Sequence, residues 1–297
     1  MQPNATPGTS MEMPTVRRSP VTSKAVWLKA FEAIRTNWRN AGYVILFGFI
    51  LPMVCFEVLM GREAVTIINS MQSREDAQTM NMIWDFIRFA SGYVAFWLSL
   101  WVVQTLVYLM ITIYMVAYLA GAGVPAFKDV FGRAVSRLVG GLGVSILFAL
   151  VIIAGVTVLA PLLIIAAFIF MAPTLMIARG DSFFKAFWSA LTLKYIPARR
   201  GSKWPVAFTL IGGGALFVSA IMGISIITTA ISEAEMLLPL STYHAASLPG
   251  VPFNASYAVS KLVELILLGF IMPVLPAMTA SLYQLTRVGD QPIEIKA

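Results

Sequence analysis

Between Arg137 and Arg179 the chain carries no charged side chain, and Leu, Ile, Val, Ala and Phe make up most of the run. A helix needs roughly 20 apolar residues to cross the hydrocarbon core of a bilayer. This one stretch is therefore long enough to cross and return, with Pro161 standing where the turn falls. No water-soluble interior absorbs such runs. Hydrophobic residues make up 59% of the chain and charged residues 12%, roughly half the charged share of an ordinary soluble domain. The constraint points to an all-α integral membrane protein.

The same span rule, applied along the chain, predicts six transmembrane helices at about 42–60, 92–120, 139–159, 162–178, 205–231 and 257–285. The charges between them are not symmetric. Arg17, Arg18, Lys24, Lys29, Arg35 and Arg39 precede the first span, and Lys128, Arg133 and Arg137 fall between the second and third. Arg179, Lys185, Lys194, Arg199, Arg200 and Lys203 connect the fourth to the fifth, whereas residues 232–260 hold no Lys or Arg. The positive-inside rule then places both termini and the basic connections in the cytoplasm. The division expected is a disordered tail over 1–22, a membrane domain over 23–286, and a short cytoplasmic tail over 287–297.

Each outward span is preceded by an amphipathic segment. Phe183, Phe184, Phe187, Trp188 and Leu191 share one helical face, with Lys185, Ser189 and Thr192 on another. Trp27, Leu28, Phe31 and Ile34 repeat the pattern before the first span, and Phe127, Val130, Phe131 and Leu138 before the third. A helix of this kind lies at the membrane interface with its rings in the acyl boundary. The expected architecture is three hairpins, each preceded by a cytoplasmic interfacial amphipathic helix, in units of about 23–120, 124–178 and 181–286. Pro173 and Pro276 stand at matching places near the ends of the returning spans, where proline kinks a membrane helix.

The stretch "APTLMIARGDSFFKAFWSALTLKY" resembles a recurring signature of bacterial multi-pass membrane proteins. These include the membrane domain attached to some glycerophosphoryl diester phosphodiesterases and the YciC-like families. The likeness rests on Pro173, Gly180, Asp181, Ala186 and Ser189, with Thr192 departing from a Leu; "AGVPAFKDVFGRAVSRLVG" and "SLYQLTR", with Thr286 in a Leu position, are similar to further segments of that group. The resemblance implies residence in the bacterial cytoplasmic (inner) membrane. In that group the diesterase chemistry belongs to a separate soluble domain, so the likeness does not imply that reaction.

Chemistry is sparsely represented. His244 is the only histidine and Cys55 the only cysteine, so no Cys-based metal site and no His-rich pairing is expected. No catalytic residue, cofactor or metal is expected, and the chain reads as a non-enzymatic protein acting through membrane lipids or protein partners, a second copy of itself included. The basic balance needs no nucleic acid to explain it, because the loops already use it for orientation. Glu57 near one span end, and Lys261 with Glu264 three residues apart near another, read as interfacial charges. Two groupings merit attention as sites. Gln104, Thr105, Tyr108 and Thr112 form a semi-polar stripe deep in the second span, fit either for hydrogen bonding between helices or for lining the polar path of a transporter. Lys194, Arg199, Arg200 and Lys203 form a basic cluster suited to anionic lipid headgroups.

Overall fold

The computed structural model describes residues 21–56, 79–157, 162–196, 203–237 and 255–287. Glu57, Pro161, Arg199, Arg200, His244 and most of both expected tails lie outside them. Every regular element among the described residues is helical. In chain order these are α1 (Ser23–Ile45), α2 (Thr79–Leu119), α3 (Phe127–Ser136), α4 (Leu138–Thr157), α5 (Leu162–Ile169), α6 (Met171–Arg179), α7 (Phe183–Leu191), α8 (Trp204–Leu237), α9 (Ala255–Ile271) and α10 (Val274–Arg287). Four stretches are long and apolar enough to cross a membrane: Ser23–Phe56, Ala90–Leu119, Trp204–Thr228 and Lys261–Arg287. A fifth is reached if α3 and α4, bent by 62° at Arg137, are taken together. The remaining apolar helix, Ile164–Arg179, is shorter. By length, then, the described residues supply four or five of the six spans expected.

The first amphipathic segment does not stand apart from its span. Thr22 caps α1, its hydroxyl accepting from the Ala25 amide at 3.3 Å. The helix then continues through a π-helical turn, Leu46–Ile50, to Phe56. Val26, Ala30, Ala33, Asn37, Ala41 and Val44 form its buried stripe, spaced three or four residues apart as a packed helix face requires. No glycine or proline separates the amphipathic part from the apolar part, so nothing in the local sequence breaks the hydrogen-bond ladder. At α3 and α7, by contrast, the chain turns before the next helix starts.

Both expected proline kinks coincide with an interruption of one or two residues, across which Ile164–Arg179 and Lys261–Arg287 still run as single stretches. Proline at position i collides with the carbonyl of residue i−4. For Pro173 and Pro276 those carbonyls belong to Ile169 and Met272, and the helices end at Ile169 and Ile271. Each proline then sits third in the following helix, where its missing N–H costs no helical hydrogen bond. The Thr174 and Thr279 hydroxyls, one on each new helix, lie 2.8 Å apart in the interior.

Side-chain bonds give the helix directions. Ser23 and Thr209 share a hydrogen bond of 2.8 Å, joining the starts of α1 and α8. Lys29 donates to Gln284 at 3.2 Å, and the Gln284 amide donates to the Leu119 carbonyl, bringing the ends of α2 and α10 to that place. The start of α4 and the end of α6 meet close by, Gly140 lying against Met176 and Phe183. We call this the basic end. Helix α10 occupies the middle, against α1, α2, α6 and α8. Its path beside α8 needs Gly213, where an added Cβ would collide with the Met278 sulfur.

Candidate functional site

The stripe expected on α2 is largely satisfied by its own helix. The Thr105 hydroxyl donates to the Trp101 carbonyl at 2.9 Å, and Thr112, fully buried, donates to Tyr108 at 2.7 Å. Two contacts leave the helix. Thr105 lies 3.3 Å from the Ser145 hydroxyl on α4, and the Gln104 amide reaches the Met53 sulfur at 3.5 Å. Tyr108 is half-buried beside them. In the basic cluster, Lys194 and Lys203 are exposed on either side of residues 197–202, which include Arg199 and Arg200 and lie outside the described residues.

A more enclosed polar arrangement stands where α6 gives way to α7. Gly180 ends α6 with φ 67° and ψ 19°, a left-handed conformation that disfavours any Cβ. The turn drives Asp181 inward until it is 3% exposed. Its Oδ1 accepts from Lys185 Nζ at 2.9 Å, and its Oδ2 lies 3.1 Å from Arg179 Nε. The second contact is close enough for an ion pair yet is not aligned as a hydrogen bond, and Oδ2 has no other partner among the described residues. Asp181 thus serves these cations, and Ser182 takes the N-cap position of α7 without a side-chain bond.

Two more arginines reach this corner from distant parts of the chain. Arg137, at the bend between α3 and α4, is half-buried, and its Nη2 lies 3.5 Å from where a Cβ on Gly180 would stand. Arg287, at the end of α10, donates to the Tyr283 hydroxyl, with its guanidinium 5.3 Å from that ring's centre. The Thr174–Thr279 bond joins α6 to α10, and Arg179 and Arg287 end those two helices, so both stand at the same end of the bundle. Sequence reasoning used Arg137 and Arg179 only as loop charges and met Arg287 only inside the closing segment "SLYQLTR". The available signal was that Arg137 and Arg179 bound the longest uncharged run, and a tight hairpin brings such ends together.

A second feature lies in the apolar part. A cleft of about 430 Å³ opens between α4, α5 and α8, and among the described residues that line it Ser219 alone brings a polar side-chain oxygen or nitrogen. Small residues make the room: Ala166 and Ala167 on α5 face Gly214 and Ala215 on α8. Phe170 closes one side, its ring 4.7 Å from Phe148 and 6.1 Å from Phe217. Ile164 and Met222 line the cleft while remaining 49% and 59% exposed, so its mouth is apolar too. No three His, Cys, Asp or Glu residues among the described residues are placed to hold a metal ion.

Comparison with protein-family models, curated proteins and solved structures returned no match. What the fold itself defines is a class: an all-helical protein with four or five helices long and apolar enough to span a membrane.

Proposed function

We propose that this is a non-enzymatic, multi-pass protein of the bacterial inner membrane that acts by holding and organising phospholipid. The observation that carries this reading is the cleft between α4, α5 and α8. Its volume, about 430 Å³, falls within the range of roughly 300–1,000 Å³ usual for small-molecule sites. On this reading a mouth lined by half-exposed apolar side chains opens into hydrocarbon, where an acyl chain is the available ligand.

Six crossings with both termini cytoplasmic accompany this proposal. Helix α4 has 20 residues, about 30 Å at 1.5 Å per residue, which matches the hydrocarbon core. Helices α5 and α6 together run from Leu162 to Arg179, a leg near the short limit for a span. Exposed Phe127 and Phe131 on α3, and Phe184 and Trp188 on α7, suit helices bedded in the interface.

The test is native mass spectrometry of protein released in mild detergent. The wild type should retain phospholipid, and Ala215→Phe, which fills the cleft, should lose most of it while remaining folded. Equal retention in both proteins would end the acyl-chain reading. A reporter fused after Ala246 should behave as periplasmic, and cytoplasmic behaviour would refute the orientation.

A further inference from the structure

At the basic end the cations outnumber the carboxylate they share. Asp181 already faces Arg179 and Lys185 at 3.1 and 2.9 Å. Arg137 is half-buried against the Gly180 turn, and its side chain has no hydrogen bond or ion pair among the described residues. Arg287 gives its hydrogen bond to a neutral phenol. A partly desolvated guanidinium without a counter-charge is costly, and its planar fork matches the oxygens of a phosphate. The amino end of α7 opens beside the same turn with no side chain capping it, and free helix N–H groups add to the attraction for an anion.

We propose that Arg137, Arg179 and Arg287 form a binding site for a phosphate group, with Asp181 holding Arg179 in place. The three arginines come from the start of one hairpin, its end, and the last helix of the chain. An anion bound there would tie those elements together at the interface. The site is distinct from the exposed Lys194 and Lys203 and from the acyl cleft. It depends on the proposed lipid function only for the source of the phosphate, which is either a phospholipid headgroup or a free phosphate in the cytoplasm.

The experiment uses the full chain in nanodiscs of phosphatidylcholine, with phosphatidylglycerol in one arm and inorganic phosphate in solution in the other. Phosphatidylglycerol should bind saturably to the wild type. Arg137→Gln should weaken it about fivefold, the scale of one basic residue near a lipid surface, and adding Arg287→Gln should weaken it further. Arg137→Lys, which keeps the charge and loses the fork, should fall in between, and circular dichroism should show each variant folded. Leu216→Ala, on the outward face of α8 and outside the cleft, should leave this binding within about twofold, the spread of a remote site. If inorganic phosphate binds, and does so only with Arg137 present, the site stands with a soluble ligand. Unchanged binding of both probes in Arg137→Gln overturns the site while leaving the cleft untouched. So does a wild type that binds neither probe.

Discussion

Two apolar stretches of the molecule have nearly equal hydropathy and opposite surroundings. In Trp204–Thr228 only 17% of the most apolar window is buried inside the protein, whereas in Lys261–Arg287 the share is 61%. The difference lies in side-chain shape and polarity rather than greasiness. Along α10 the buried residues include Ala277, Thr279, Ala280 and Ser281, small enough for other helices to come close and able to hydrogen-bond across the gap. Along α8, Leu216, Met222, Ile226 and Ile227 are each more than half exposed. Lipid tails are as apolar as leucine, so burial within a membrane bundle follows packing and hydrogen bonding more than transfer from water.

Cutting equivalent leucines should widen that contrast most. Leu275→Ala on α10, where the side chain is 1% exposed, should cost about 2–3 kcal/mol through the cavity it leaves. Leu216→Ala, 57% exposed, should stay within about 0.5 kcal/mol. Equal losses in denaturant-titrated unfolding would break the distinction. A sharper comparison lies within α8 itself. Gly213→Ala meets Met278, whereas an added Cβ at Gly223 has nothing within 4 Å. The first should cost about 1–2 kcal/mol by overpacking and the second almost nothing; thermal melts in one detergent decide between them.

The hydroxyl pair in the core is worth less. A double-mutant cycle with Thr174→Val and Thr279→Val should give a coupling near 0.6 kcal/mol, about the average for such bonds in membranes. No coupling would mean that each threonine is satisfied by its own helix, as Thr279 partly is through Leu275 at 2.9 Å. The smallest effect should have the opposite sign. Tyr195 is buried with no partner for its hydroxyl among the described residues, and burial pushes its phenol well above the usual 10.0. An unpartnered buried hydroxyl adds nothing at neutral pH, and a group that resists ionising in the folded state costs stability as pH rises past its unfolded value. Tyr195→Phe should therefore be neutral to slightly stabilising at neutral pH and should flatten the alkaline loss. A clear loss at neutral pH would show that the hydroxyl has a partner.

Much of the helix layout was legible because its cause is local. Gly180 in "ARGDS" reads as a turn, and there the helix ends in a left-handed residue. Pro173 and Pro276 read as kinks, and each stands just after a short interruption of the helix. The corner around Asp181 was not legible, since Arg137 and Arg287 stand far from it in sequence and nothing local says that they converge. The stripe from Gln104 to Thr112 was visible as a pattern, but a threonine that bonds its own helix and one that faces a neighbour are spelled alike.

Sequence by itself determined the solvent. Uncharged runs of membrane length cannot be hidden from water in a chain of this size, and a helix is the form that satisfies their backbone internally. It also determined where those helices break, because proline and glycine act within one turn. Only the tertiary structure decided which apolar face meets protein and which is left outward, and which distant cations stand beside one turn. Both follow from how closely helices approach, a property of pairs of surfaces, and "RGDS" alone could not say that Arg137 would be waiting over its glycine.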